Sequence, residues 1–281
     1  MKNKYYYIDL HIHTKYSDGE RSLEETICDA KRAGLSAIAI TDHNYFAVER
    51  PVMDDDLEII PGAEFSTTYY YGDGQRAEVH IVGLFFDGVA PELKSVFKRI
   101  NKLAYAEAII EKMNSLGMSL TMEELKASNP QSKQFGRTQI ADLLVEKGYA
   151  TDRADAMDRW IGNLSPHFIH SLDHIRYIEM EECVREICKY GGFAILAHPF
   201  HYKFTKDQIE ELVMRFRNAA ERTPGMEVYY GKYHEEEVKY LEGLAKRYRL
   251  LPSAGSDRHK ADHPFVKGQY ELLEEMKKQK S

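Results

Sequence analysis

Short apolar or β-branched runs alternate with amphipathic stretches along this chain, a rhythm that predicts βα units around a largely parallel sheet. Tyr5–Leu10, Ser36–Ile40, Leu57–Pro61, Val79–Phe86, Phe193–Ala197, Met226–Tyr230 and Leu250–Ala254 read as strands. Between them Leu23–Ala33, Glu179–Tyr190, Lys206–Ala220 and Glu235–Tyr248 carry helical periodicity. Ser22 with Glu25 makes a capping box for the first helix, and Gly34 is its stop. From about Ile100 to Ser165 the rhythm breaks into successive helical patterns with no convincing strand. Thr121 with Glu124 caps one helix there, Thr138–Lys147 forms a second ending at Gly148, and Asp152–Ile161 a third ending at Gly162. Met113 and Met118 read as core. The expected organisation is a barrel-forming unit over residues 1–99 and 166–281, with a helical insertion over residues 100–165.

The composition of the 281 residues, 43% hydrophobic and 30% charged without a low-complexity tract, is that of a folded protein. A net charge of -7 argues against an extended basic surface for duplex nucleic acid, whose binding needs many Lys and Arg contacts to phosphate. It leaves room for a small anionic substrate where cations are concentrated locally. Cys28, Cys183 and Cys188 show no paired pattern and lie in helical segments, as expected of free thiols in a reducing compartment. Met1 runs almost directly into Tyr5–Leu10 with no signal-peptide core, and no stretch approaches the roughly 20 apolar residues of a membrane span. A cytoplasmic location, no membrane association and no obligate protein partner are the expectations.

Candidate chemistry stands just past the strands. His11 and His13 are two residues apart, which puts them on one side of extended backbone. Asp18 follows in a turn, Asp42-His43 follows the second strand, Glu64 the third, His198 the run Phe193–Ala197, and Asp257 and His259 the last. In a barrel of parallel strands these ends share one face. His80 lies near the start of its strand instead, but Gly72-Asp73-Gly74 is a hairpin signal that returns the chain past Glu64 and brings His80 back to its level. A single histidine is usually a hydrogen-bonded surface or core residue. His and carboxylate side chains gathered at five strand ends form an N/O donor set suited to Zn, Mn or Fe(II).

The segments DLHIHTKYSDG, AITDHN, PGAEFS, EVHIVG, LAHP and SAGSDRH resemble, in order and over nearly the whole chain, the polymerase-and-histidinol-phosphatase (PHP) superfamily of metal-dependent phosphoesterases. The resemblance implies a distorted (β/α)7 TIM-like barrel, an α/β fold, carrying two to three divalent metal ions. It implies one site of His11, His13, Glu64 and Asp257, a second of His80 and His198 bridged by Glu64, and a third of Asp18, His43 and His259. The helical insertion and its segment FGRTQIADLLVEKGYATDRADAMDRWIG are similar to the subgroup acting on nucleoside 3',5'-bisphosphates or as a 5'-exonuclease on short RNA. The expected activity is hydrolysis of a phosphomonoester of a small nucleotide-like substrate through a metal-bridging hydroxide, with Glu64, Asp257, His198 and Arg137 as the catalytic set. Histidinol-phosphate phosphatase, exonuclease and a non-catalytic phosphate-sensing module are the alternatives.

Arg137 is the candidate for a substrate phosphate, as a planar fork at a helix start. Arg258 lies between two ligand positions and reaches either substrate or a carboxylate. His201 could protonate a leaving group or sit at the rim, and His234 could contact substrate or cap a helix. The aromatic runs Tyr5–Tyr7 and Tyr69–Tyr71 could stack a base, though strand packing explains them more simply.

Overall fold

The computed structural model describes residues 7–97 and 102–279. Tyr5 and Tyr6, and the expected boundary at residues 99 and 100, lie outside them. The strands are β1 (Tyr7–Ile12), β2 (Leu35–Ile40), β3 (Val52–Asp54), β4 (Leu57–Tyr71), β5 (Gln75–Leu84), β6 (Phe193–Leu196), β7 (Gly225–Tyr230), β8 (Leu251–Gly255) and β9 (Gly268–Gln269). Their order in one sheet is β8-β7-β6-β5-β4-β2-β1-β9, with β3 paired to β4. Strands β1, β2 and β4 are mutually parallel, as are β6, β7 and β8. Strand β5 runs antiparallel to both of its neighbours, a departure from the largely parallel expectation that follows from the Gly72–Gly74 turn. Past β1 and β8 the wall closes: Ile12 bridges Arg258, the Asp257 amide donates to the His11 carbonyl at 2.9 Å, and the His13 amide donates to the Arg258 carbonyl at 3.1 Å. The result is a nearly closed, distorted TIM-like barrel.

Alternation along the strands sorts side chains to its two surfaces. Ala37 and Ala39 join Ile8, Leu10, Ile60, Val82 and Ile195 in one cluster, while Ile38 and Ile40 join Ile12, Ala30 and Ile59 in another that packs under α1 (Leu23–Ala33). Small alanines in the first set leave room for the larger residues facing them. Helix α1 begins in the Ser22–Glu25 capping box and ends at Gly34, whose φ of 76° is the left-handed geometry that glycine adopts without strain.

Helix α2 (Pro91–Phe97) precedes a module made of α3 (Leu103–Ser115), α4 (Met122–Ser128), α5 (Arg137–Glu146) and α6 (Arg153–Ala156), the last continuing as a π-helical turn at Met157–Ile161. The module has its own core, with Tyr105, Ile109, Met113, Leu125, Ile140 and Leu144 packed together and joined by Leu172, Ile175 and Tyr177. That core therefore extends past residue 165. Met118 is buried in it as well. Helices α7 (Met180–Lys189), α8 (Lys206–Ala219) and α9 (Glu235–Tyr248) pack outside β5–β8, and α10 (Tyr270–Lys278) adds Leu273 and Met276 to the cluster that includes Ile8 and Ala37.

Candidate metal centre

Fifteen residues of β4 run without interruption through Pro61-Gly62-Ala63, so Glu64 lies inside a strand rather than after one. Ser66 pairs with His80 across the hairpin, and the two strands bring the His80 imidazole to the Glu64 carboxylate as the turn predicted. Glu64 Oε1 lies 2.8 Å from both His80 Nδ1 and His198 Nε2, and Glu64 Oε2 lies 2.8 Å from His43 Nδ1 and 3.4 Å from His13 Nε2. His11 Nε2 is 3.4 Å from Glu64 Oε1, and Asp257 Oδ1 is 3.3 Å from His13 Nε2. On the other side of His13, Asp18 is 3.2 Å from His259 and 3.6 Å from His43. All nine candidate ligands thus meet in one mouth. Among the described residues the donor groups able to enclose an ion are His11-His13-Glu64, His43-Glu64-His80 and His13-Asp18-His43-His259.

Backbone strain is stored at two of these positions. His198 has φ 28° and Asp257 φ 50°, values that cost a residue with a Cβ about 1–3 kcal/mol. Both are held by buried bonds: the His198 amide donates to Glu227 Oε2 at 2.7 Å and the Asp257 amide to the His11 carbonyl at 2.9 Å. Gly255 shows how close this packing is, since a Cβ there would stand 2.3 Å from Glu227 Oε1 and 2.6 Å from His11 Cβ.

A metal fits this donor set. Glu64 Oε2 and His43 Nδ1 are buried and 2.8 Å apart without making a hydrogen bond, and His198 Nδ1 is also buried without a partner. Two lone-pair atoms so close repel unless a cation or proton lies between them. Burial pushes the carboxyls of Glu64, Asp18 and Asp257 up, but the imidazoles around them prevail and hold all three well below the usual range. Burial opposes protonation of His80 and His259, yet Glu64 beside the first, and Asp18 and Asp257 beside the second, push both up to about 10. For His43 burial wins and its pKa falls to about 4. Protons thus hold places that a divalent cation would take.

Glu227, Asp42 and Tyr230 support the mouth, and of these only Asp42 stands in a sequence motif. Glu227, buried on β7, faces His11 Nδ1 at 2.8 Å and orients that ring. Asp42 accepts from the Thr14 amide and hydroxyl at 2.8 and 2.7 Å and from the Ser17 amide and hydroxyl at 3.1 and 2.6 Å, which folds the loop that presents Asp18. Tyr230 donates to Asp257 Oδ2 at 2.7 Å. Only the alternation of β7 could have pointed Glu227 and Tyr230 inward, and it gives them no role.

The helical module lies beside the mouth and borders a half-open cavity of about 530 Å³, with Asp18, His43, Glu78 and His80 on the barrel side and Lys102 and Arg137 on the module side. Arg137, first residue of α5, bonds Asn163 and lies 5.4 Å from the centre of the Phe168 ring, at the cavity wall. Of the two roles expected for Arg258, substrate contact or pairing with a carboxylate, the structure shows the second. Its guanidinium is buried, donating to Asp29 at 2.9 Å and to the carbonyls of Ala261 and His263, with Phe265 stacked on it. The reason is geometric: alternation past β8 turns Arg258 away from the side on which Asp257 and His259 project. His201 is exposed at the cavity rim, and His234 stands at the N-terminus of α9 in a side groove that His201 also lines. The His234 amide donates to Glu237, a capping arrangement. Tyr69 and Tyr71 stack on each other and against Phe204, away from the mouth. No helix among the described residues is long and apolar enough to cross a membrane.

The chain is similar to several known proteins over most of its length. A 5'-3' exoribonuclease of Haemophilus influenzae is 28% identical over 265 residues, covering 92% of this chain and 91% of its own. A 3',5'-nucleoside bisphosphate phosphatase of Chromobacterium violaceum is 27% identical over 265 residues, covering 90% and 87%. The solved structure of an amidohydrolase from Chromobacterium violaceum shares the fold, with a TM-score of 0.78 over 97% of this chain and 96% of its own at 24% identity. The PHP domain model matches residues 9–248, and the chain belongs to that family as a metal-dependent phosphoesterase.

Proposed function

We propose that the protein removes a phosphate from a small nucleotide-like phosphomonoester, a nucleoside 3',5'-bisphosphate in first place. The observation that carries this reading is the cavity between barrel and module. Its volume of about 530 Å³ falls within the ~300–1,000 Å³ of small-molecule sites, and it sets candidate metal ligands opposite Lys102 and Arg137. The C. violaceum relative named as a nucleoside bisphosphate phosphatase supports it.

Two to three divalent ions, Zn, Mn or Fe, would be held by the three donor groups with Glu64 shared between two, and when bound they supply charge neutralisation for phosphoryl oxygens and acidify water. Glu64, Asp257 and His198 orient that centre. Arg137 offers a fork for a phosphate oxygen, and its contacts to Asn163 and Phe168 limit the rotamers it loses on binding. His201 at the rim is within the same cavity lining and is the candidate to contact the leaving group.

A second reading, a 5'-3' exonuclease acting on short RNA, is favoured by one feature. A further groove, lined by Lys15, Asn129, Ser132 and Arg153 together with Glu20 and Asp142, adjoins the central cavity at Ser17, Asp18 and Gln139, and a strand longer than one nucleotide would have to displace the Gln139 bond to the Ser17 carbonyl to continue into it. The test is a panel of adenosine 3',5'-bisphosphate, histidinol phosphate and 5'-phosphorylated dinucleotides, with phosphate and nucleoside release measured on metal-replete protein. Preference for the bisphosphate is expected. Activity confined to histidinol phosphate overturns the substrate reading, and activity on none returns the protein to a phosphate-sensing role.

A further inference from the structure

Two imidazoles of the mouth carry, on the nitrogen that faces away from Glu64, a carboxylate that is not itself a candidate ligand, and these two carboxylates are placed very differently. Glu227 holds His11 Nδ1 at 2.8 Å from within the barrel and is buried. Glu78 holds His80 Nε2 at 3.2 Å, while His80 Nδ1 lies 2.8 Å from Glu64 Oε1. Glu78 precedes His80 by two residues on β5, so both side chains leave the same side of the strand. The second oxygen of Glu78 accepts from the Ser171 hydroxyl at 2.6 Å. Ser171 starts the 3-10 turn Ser171–Asp173, and the next residue, Leu172, is part of the helical module's core.

An imidazole can offer a lone pair to a cation on one nitrogen only if its proton is on the other, and an acceptor at that second nitrogen fixes both the tautomer and the ring plane. Glu78 is such an acceptor for Nε2–H, which leaves Nδ1 facing Glu64. The Ser171 hydroxyl in turn holds the carboxylate in place, and it reaches Glu78 only when the module is seated on the barrel.

We infer that Glu78 is a positioning residue that fixes the tautomer of His80, and that its bond from Ser171 makes retention of the ion at His80 depend on the seating of the helical module. This rests on reading the mouth as a metal centre.

The test measures Mn(II) stoichiometry by elemental analysis and affinity by chelator competition on the full chain, for the wild type, Glu78→Gln, Glu78→Leu, Ser171→Ala and the Glu78→Leu/Ser171→Ala pair. Glu78→Leu is expected to weaken one ion by about 10- to 100-fold and leave the others in place. Glu78→Gln, which keeps a carbonyl acceptor, is expected to recover most of that loss. Ser171→Ala should weaken the same ion by about three- to tenfold, the scale of one hydrogen bond, and add nothing in the Glu78→Leu background. Unchanged affinity in Glu78→Leu overturns the positioning role, as does an equal loss in Gln and Leu variants. Equal effects of Ser171→Ala in both backgrounds overturn the link to the module. If Glu78→Leu does not fold, unchanged affinity in Ser171→Ala is sufficient to overturn that link. A wild type that binds no divalent ion overturns the metal-centre reading together with this one, whereas a wild type that binds ions and hydrolyses none of the panel affects only the substrate reading.

Discussion

In the barrel mouth nearly every polar side chain has several buried partners, while in the helical module beside it the groups facing the cavity are tied by one or two. Glu64 touches five imidazoles, Asp42 accepts four hydrogen bonds, and Glu227 binds both the His11 ring and the His198 amide. Arg137 has Asn163 and an aromatic face, and the module meets the mouth through contacts such as Ser132 to the Ser17 carbonyl at 3.0 Å and Thr138 to Asp18 at 3.3 Å. An over-determined mouth suits chemistry that needs fixed geometry, and a module with its own core can adapt to substrate without disturbing that geometry.

The largest effect should come from the most connected residue. Glu64→Gln keeps the shape but removes the charge that the surrounding imidazoles and the ions require. Hydrolysis is expected to fall by at least about 10²–10³-fold, the scale of losing one charge-stabilising group, and the melting temperature to fall as well, because buried His80 loses the carboxylate that stabilises its charge. Undiminished turnover with intact metal content would rule out the central place of Glu64.

The two arginines sharpen the contrast. Arg137→Ala is expected to raise KM by about 10- to 100-fold, as loss of a charged hydrogen bond does, with little change in melting temperature. Arg258→Ala should do the reverse: KM unchanged, and stability lower by up to about 3 kcal/mol in urea unfolding, because Asp29 loses a buried partner but keeps Arg21 and Arg32. A KM effect in Arg258→Ala would put its guanidinium back in the cavity.

This pair also marks the limit of what the residues alone disclose. The ligands are legible because each stands at or near a strand end in a short motif, and parallel strands carry such ends to one face. His80 needed the hairpin as well, and the turn glycines supply it. Arg258 sits inside the same motif as Asp257 and His259, so proximity in sequence leaves both of its roles open, and only the register past β8 shows that it faces Asp29. Glu227, Glu78 and Ser171 act on partners 216, 2 and 93 positions away. For the long-range pairs no local pattern exists to be read. The helices of the insertion are legible from their periodicity and end signals, the Thr121–Glu124 cap and Gly148 among them, but such a signal does not say which end of a helix faces a cavity.

Protons and ions compete for the mouth, which makes the barrel side pH-dependent. In the metal-free protein His80 and His259 are raised to about 10, above the unfolded value of 6.5. Their contribution to stability is therefore fully present below about pH 6.5 and is lost as pH rises toward 10. Metal binding displaces those protons, so apparent affinity should increase with pH over the same window, by about tenfold per unit for each proton released. Calorimetry in buffers of different ionisation enthalpy counts the protons directly. An affinity independent of pH would mean that the imidazoles are already neutral in the metal-free protein and would overturn the raised values of His80 and His259.

The smallest effect is expected where the comparison looks most electrostatic. Arg76 on the hairpin pairs with Asp173 beside the Ser171 turn at 2.5 Å, a conspicuous tie between barrel and module. Both side chains are about half exposed, at 45% and 59%, so water and salt screen the pair and side-chain ordering offsets much of its attraction. Arg76→Ala should change stability by no more than about 1 kcal/mol, and raising salt should change wild-type KM no more through this contact than it does in the variant. If instead the variant loses affinity for Mn(II) as Ser171→Ala does, the turn carrying Ser171 is held down by this ion pair, and the module's seating depends on its surface as well as on the buried bonds beneath it.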